Sequence, residues 1–310
     1  MNAIHTEARF NNEEAARQHL EAIRWPNGPI CPHCGGIERN SALNGESHRA
    51  GLYFCGDCRT QFTVTVGTVF ERSKIALHKW VYATHLMCAS KKGISSKQLE
   101  RMLGVTYKTA WFMTHRIREA MTTTPTGQMG GPGKIVEGDE TYYGTEPGKK
   151  RGKNGGAMPA MNKIVSLVER GGNVRSMHVA DVRGDNLKAI MTGHVHKDSH
   201  LMTDSSPRYN KLKQSKEFKK YDQINHSSKV YAKGIISTNS VEGYFSILKR
   251  GLVGTFHHVS HQHLQRYVNE FDFRFNNRQS LGVNDNERAE IALKGISGKR
   301  LTYKRANQAA

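Results

Sequence analysis

Lys134-Ile135-Val136-Glu137-Gly138-Asp139-Glu140-Thr141-Tyr142-Tyr143-Gly144 is where the chain changes character. Upstream, apolar residues recur at helical spacing. Here a β-branched run ends in acids and a glycine, the pattern of a strand. Lys163 to Glu169 is a second strand, with Ile164, Val165, Leu167 and Val168 apolar. Gly171-Gly172-Asn173 is a hairpin turn, and Val174 to Val182 a third strand. Asp185 opens a helix that runs to about His194, and Ser199 to Pro207 is a short fourth strand with its exit. Between 208 and 236 one helix and a short strand around Ser228–Ala232 are expected, among Lys211, Lys213, Lys216, Lys219 and Lys220. Ser237 to Arg250 then forms a helix, its first turn expected to be capped by the side chain of Ser237 or Thr238. Val241, Phe245 and Leu248 make its apolar stripe; Glu242, Ser246 and Lys249 make a polar file. A final helix spans about Ser260 to Asn277.

Working back toward the N-terminus, Thr122 to Gly133 is polar and rich in Pro and Gly, a linker with little to bury. Before it, Ile75 to Cys88, Ser95 to Leu103 and Tyr107 to about Met121 read as three helices, the last two joined by a turn at Gly104. That pair has a helix-turn-helix pattern, with Lys108, Thr109, His115 and Arg116 as candidate DNA contacts. Earlier still, Cys31-Pro32-His33-Cys34 and Cys55-Gly56-Asp57-Cys58 are separated by 20 residues. Two Cys-x2-Cys turns at this spacing present four thiolates to one tetrahedral Zn²⁺, a closed structural site. Cys88 lies among apolar residues and reads as core. The expected organisation is a helix plus zinc ribbon over 1–70, a helix-turn-helix region over 71–122, a linker over 123–133, a catalytic domain over 134–296 and a basic tail over 297–310.

Three strands in hairpin order, a helix, a fourth strand and a late acidic helix is the element order of a ribonuclease-H-like domain. The fold class is therefore α/β (α+β), with a zinc ribbon and helical region ahead of a mixed-sheet domain. On that order Asp139 and Asp204 lie on neighbouring strands, with 64 residues between them, and Glu242 follows after 37 intervening residues. Such a carboxylate trio suits Mg²⁺, a hard cation that takes oxygen ligands. Two such ions stabilise both the attacking and the leaving oxygen of a phosphodiester displacement. Glu137 and Glu140 compete with Asp139 for the same role.

The chain resembles bacterial insertion-sequence transposases of the DDE type that carry an N-terminal zinc ribbon. The resemblance rests on the two cysteine pairs, Glu137-Gly138-Asp139-Glu140-Thr141, Thr203-Asp204, Asn239-Ser240-Val241-Glu242, Lys249-Arg250-Gly251, Gly254-Thr255-Phe256-His257-His258, and Tyr267-Val268-Asn269-Glu270-Phe271 with Arg274-Phe275-Asn276-Asn277-Arg278. It implies Mg²⁺-dependent nicking at transposon ends, with Mn²⁺ as a substitute, and attack of the freed 3′-OH on target DNA. It further implies that Lys249 touches DNA near the cleaved phosphate, that Arg274 and Arg278 contact the active site or DNA, and that the protein works as a homodimer on inverted-repeat DNA in the bacterial cytoplasm. Members of this group can place Asn where others place the third acid. Asn239 would do so here, and charge favours Glu242.

A net charge of +19 and a pI of about 9.8 fit a polyanionic partner. Lys149, Lys150, Arg151 and Lys153 sit in a glycine-rich loop suited to phosphate, and Arg250 adds to the late helix. No apolar run is long enough to span a membrane. Two other readings stay open: a DNA-binding regulator whose C-terminal domain only dimerises, and a nuclease without strand transfer. The histidines at 257, 258, 261 and 263 are read as DNA contacts or caps, not as a metal site.

Overall fold

The computed structural model describes residues 6–148, 161–225 and 232–302. The expected basic arm of Lys149, Lys150, Arg151 and Lys153 lies outside the described residues, as does most of the strand expected at Ser228–Ala232. The chain divides into two compact units, Met1–Thr122 with Val283–Ala310, and Thr123–Gly282.

The first unit begins with helices α1 (Ala8–Asn11) and α2 (Glu13–Arg24). Asn12 starts α2 by accepting from the Ala15 N–H at 2.9 Å, and Phe10, Ala16 and Leu20 are buried. The ribbon follows as an antiparallel sheet of β1 (Asn40–Ala42), β2 (Tyr53–Cys55) and β3 (Gln61–Phe62). So small a sheet has little core of its own; Trp25 packs edge-on against both Tyr53 and Phe62 beneath it. Then come α3 (Leu77–Ala89), α4 (Ser96–Leu103) and α5 (Tyr107–Met121). Ser95 caps α4 through the Gln98 N–H at 3.2 Å, and Thr106 caps α5 through the Thr109 N–H at 3.3 Å. Cys88 is buried in the core, as its neighbours suggested.

The second unit is built on a five-stranded mixed sheet. β4 (Ile135–Tyr143), β5 (Asn162–Glu169) and β6 (Val174–Val179) are antiparallel. Helix α6 (Gly184–His194) leads to β7 (His200–Asp204), and α7 (Asn210–Ser215) to β8 (Lys220–Ile224). β7 runs parallel to β4 and β8 parallel to β7, so the order is β6-β5-β4-β7-β8. This is the ribonuclease-H-like arrangement expected, with β8 an additional strand whose half-polar residues carried no clear signal. A two-stranded hairpin, β9 (Ala232–Lys233) and β10 (Ile236–Ser237), precedes α8 (Asn239–Gly254) and α9 (Leu264–Asn276). Each helical pair covers one face of the sheet. Val241, Phe245, Leu248, Val268 and Phe271 form a core with Ile164 and Val168. Leu187, Met191 and Leu212 form another with Val136, Val165 and Leu167. Gly138 makes the second face possible, because a Cβ there would sit 2.7 Å from Met191 Cε.

The outer edge of β6 is closed by side chains rather than by a strand. Asn276 accepts from the Val174 N–H at 2.7 Å and donates to its carbonyl at 2.9 Å. Asp272 accepts from the Ser176 N–H at 2.7 Å, and Gln265 from the His178 N–H at 2.6 Å. The outward backbone groups of alternate residues are thus satisfied by one face of α9.

Helix α10 (Asp285–Lys294) corrects the expected boundary of 134–296. It belongs to the first unit, where its buried Ala289, Ala292 and Leu293 face α3. Its small, charge-flanked stripe gave little periodicity to read.

Replacing Asn276 with Ala should lower unfolding free energy by about 2 kcal/mol, since it orphans two backbone groups of a buried residue. Urea denaturation of Asn276→Ala against wild type measures this, with Asn276→Asp expected between them because it keeps the acceptor alone.

Candidate active site

The strand alternation of β4 sorts its three acids. Glu137 and Asp139 point to the α8 face with Tyr143, and Glu140 points to the α6 face with Val136. Gly138 and Thr203 are the last paired residues of the parallel β4–β7 ladder. Asp139 and Asp204 are the next residue out on each strand, so the two expected acids stand side by side. Asp139 Oδ1 accepts from the Glu140 N–H at 2.8 Å, while its Oδ2 accepts no hydrogen bond from a described residue. Asp204 Oδ1 accepts from the Ser206 N–H at 3.1 Å in the exit turn. Burial, then the charges of Glu140, Asp204 and Glu242, push the Asp139 carboxyl up to about 8. All the nearby acids raise it, which is the electrostatic mark of a site short of positive charge.

The two glutamates that compete with Asp139 in the sequence have other work. Glu140 accepts from Arg208 Nη1 at 2.5 Å and from the Tyr209 hydroxyl at 2.6 Å. Glu137 has no solvent exposure and closes the start of α8. Its Oε2 accepts from the N–H groups of Ser240 at 2.7 Å and Val241 at 3.1 Å, and its Oε1 from the Ser240 hydroxyl at 3.1 Å. Arg170 donates to the same Oε1 from Nε at 2.9 Å and Nη2 at 2.6 Å. Arg170 also reaches the Ile235 carbonyl and the Ser237 hydroxyl. The expected capping by Ser237 or Thr238 is therefore corrected. Thr238 occupies the N-cap position, but its hydroxyl donates to Glu242 Oε1 at 2.9 Å, and the carboxylate of a neighbouring strand takes the helix N–H groups. Arg170 and Arg208 gave no sequence signal, since each lies in a loop remote in sequence from the acid it binds.

Along α8, Asn239 and Glu242 are exposed one turn apart. The Asn239 side chain makes no hydrogen bond with a described residue. Lys249 is exposed on the same polar file as Glu242, without an ion pair to a described residue, and Arg250 donates to the Ser246 hydroxyl at 2.5 Å. Val241, Phe245 and Leu248 are buried beneath, as their spacing implied.

Three expected DNA contacts, His115, Arg116 and Arg274, are buried, and a fourth, Arg278, is half-buried. His115 and Arg116 are buried in the first unit, and Arg116 donates to the carbonyls of Leu301 and Glu71. Arg274 is buried against Glu270, its ion-pair partner, and Phe271. Arg278 stacks on Phe275 at 4.1 Å and donates to the Gly172 and Phe275 carbonyls. Lys108 and Thr109 remain at the outer end of α5, with Lys108 exposed. Among the histidines, His261 meets Asn162 Oδ1 at 2.5 Å.

The cysteine site fits zinc. The four Sγ atoms lie within 4.8 Å of one another, with Cys31–Cys58 and Cys34–Cys55 each at 3.6 Å. Tetrahedral Zn²⁺ with Zn–S near 2.3 Å requires sulfurs roughly 3.8 Å apart. At Gly36, beside the first pair, a Cβ would lie 2.5 Å from Asp57 Oδ2 and 3.3 Å from Cys34 Sγ, so a larger residue there would push the Asp57 side chain aside. Among the described residues this is the one group of three or more His, Cys, Asp or Glu ligands so closely gathered; the carboxylate trio is more open.

Both parts of the chain resemble transposase domains. Residues 129–276 match the family model of the ISXO2-like transposase domain, and residues 11–61 that of the transposase zinc-ribbon domain. The chain is 28% identical over 279 residues to an uncharacterized protein in transposable element ISH50 of Halobacterium salinarum, covering 86% of this chain and 91% of that one.

Glu137→Ala should destabilise the protein by about 3 kcal/mol or more, because it leaves Arg170 without its buried partner and two helix N–H groups without an acceptor. Chemical denaturation reads the loss. A second expectation concerns pH. In the folded, magnesium-free protein Asp139 holds its proton up to about pH 8, whereas in the unfolded chain it ionises near its ordinary value. The unfolded state therefore binds fewer protons between these limits, and Asp139 costs stability as pH rises through that window. Asp139→Asn removes the cost, so its stability gain over wild type should widen from about pH 4 to pH 8 and then level off. A gap constant with pH would contradict the crowding of acids around Asp139.

Proposed function

We propose that this chain, which belongs to the insertion-sequence transposases with an N-terminal zinc ribbon, cuts DNA hydrolytically at the transposon ends and joins the freed 3′-OH to target DNA. The observation that carries this is the meeting of Asp139 and Asp204 at the ends of adjacent parallel strands, with the charge of Glu242 bearing on Asp139.

Asp139, Asp204 and Glu242 are the residues that would hold Mg²⁺, with Asn239 as the alternative third donor. The fit rests on the donor set: hard oxygen ligands, one Asp139 oxygen that accepts no hydrogen bond from a described residue, and mutual repulsion that a dication offsets. When bound, Mg²⁺ supplies charge stabilisation to the attacking and leaving oxygens and lowers the pKa of attacking water. The chain's own contribution is position. The Glu137 clamp sets the first turn of α8 against β4, which sets Glu242 against Asp139. Lys249 lies seven residues beyond Glu242 on the same file, about two turns or 10 Å along the axis. It counters phosphate charge beside the carboxylates, and Arg250 extends that surface. Lys108 and Thr109 at the start of α5 contact DNA, and the protein acts as a homodimer on paired ends.

The test is nicking and joining of a plasmid carrying the element's inverted repeats, with Mg²⁺ or Mn²⁺. Asp139→Asn and Asp204→Asn should each lose at least about 10²–10³-fold in nicking while still binding DNA. Glu242→Gln should lose comparably and Asn239→Ala much less; the reverse order would assign the third position to Asn239. Wild type that nicks without joining would reduce the activity to that of a nuclease. Wild type that binds without nicking would leave a DNA-binding protein.

A further inference from the structure

The two edges of the sheet in the second unit are finished differently. The β6 edge is closed by Gln265, Asp272 and Asn276. Beyond β8 no described strand pairs. Along this open edge stand Lys213, Lys216, Lys219 and Lys220, all exposed and none ion-paired to a described residue. The contrast with nearby lysines is sharp: Lys188 meets Glu217 at 2.8 Å, and Lys211 meets Asp185 at 2.6 Å. The acid on β8 itself, Asp222, is taken by His200 at 2.7 Å. Two grooves share Lys219. One, about 470 Å³, includes Lys220 and lies at the N-terminal ends of the parallel strands; the other, about 670 Å³, includes Lys213 and Lys216 and follows the strand to Gln223.

Lysines on an edge strand can serve simply to keep other strands from adding to it. Four lysines around one five-residue strand outnumber Asp198 and Asp222, the acids that line the same grooves, and grooves beside them are not needed for guarding an edge. A linear polyanion answers both features. The strand spans roughly 16 Å at about 3.3 Å per residue. One strand of a duplex carries a phosphate about every 3.4 Å along the axis, so the edge matches roughly four or five phosphates. The strand also has a direction: its last residue, Ile224, lies opposite Asp204 in register. A backbone lying along the edge therefore leads to the acidic end of the sheet.

We propose that the β8 edge is a DNA-binding track, in which Lys213, Lys216, Lys219 and Lys220 hold the phosphate backbone of duplex DNA leading to the carboxylates. This rests on the transposase reading for its partner but not on the chemistry. The test is the salt dependence of binding to a labelled duplex of unrelated sequence, between about 50 and 200 mM salt. The full-length protein with all four lysines changed to Gln is compared with wild type, with Asp139→Asn, and with a Lys188→Gln/Lys211→Gln control. The track requires the slope of log K against log salt to fall by about 3–4 in the quadruple variant, near 0.9 for each of four phosphates no longer neutralised. The control, whose lysines are already paired, should shift by less than about 0.5, and Asp139→Asn should keep the wild-type slope. An unchanged slope in the quadruple variant overturns the proposal, and aggregation of that variant with an unchanged slope would show that the lysines only guard the edge. Loss of polyglutamate binding with an unchanged DNA slope would give the edge to an acidic protein and overturn it equally. If the slope falls as required but wild type never nicks DNA, the track stands and the catalytic reading falls.

Discussion

A carboxylate without solvent access must find its compensation inside the protein, and Glu137 finds it in three places at once. It accepts from the N–H groups that open α8, from the Ser240 hydroxyl, and from Arg170, which in turn holds the segment before the helix. The helix start has a partial positive charge and N–H groups with no partner within the helix; the strand carries a negative charge that could not otherwise be buried. Each element removes the other's defect. The consequence is positional. Because Glu137 precedes Asp139 by two residues on one strand face, whatever fixes the start of α8 to Glu137 fixes its first turn to Asp139. The apolar stripe of α8 then needs only to set rotation about the axis, which Val241, Phe245 and Leu248 do from the core.

The same strand shows how one run of acids is divided. Alternation sends Glu140 to the opposite face, where Arg208 and Tyr209 bind it, and the missing side chain at Gly138 lets Met191 approach between them. Asp139 alone is left at the end of the ladder with an oxygen that no described residue binds. Acids that are satisfied locally stabilise the frame. An acid that is crowded by other acids and left partly unsatisfied is the one suited to a cation.

Much of this was legible because it depends on local pattern. Two Cys-x2-Cys turns determine their own geometry, and the β-branched runs at 135–143 and 163–169 could hardly be anything but buried strands. The positions of Asp139 and Asp204 followed from strand order alone. What was illegible depends on partners distant in sequence. Basic character suggested DNA contact for His115 and Arg116, and the family resemblance did so for Arg274, but neither reveals which face of a helix is covered. α5 is buried nearly all round from Ala110 onward, and even Arg118 is inside it, donating to Thr114. Glu270 and Arg274 are one turn apart, a spacing equally suited to a weak surface pair or to the buried one found. β8 was hidden because an edge strand with Lys220, Asp222 and Gln223 looks like a loop, and α10 because its buried stripe is mostly alanine.

The remaining question is why the first turn of α8 carries both Asn239 and Glu242. Glu242 is exposed and, among its interactions, accepts from the Thr238 hydroxyl at 2.9 Å, a neutral donor worth about 1.5–3 kcal/mol to a charged acceptor. On the proposed reading, the attraction a dication offers to a third carboxylate next to two others is larger than that single bond. Asn239 makes no such bond with a described residue, but its neutral amide leaves the repulsion between Asp139 and Asp204 where it was. The asymmetry favours a division in which the carboxylate holds the cation and the amide, able to donate as well as accept, meets water or phosphate beside it.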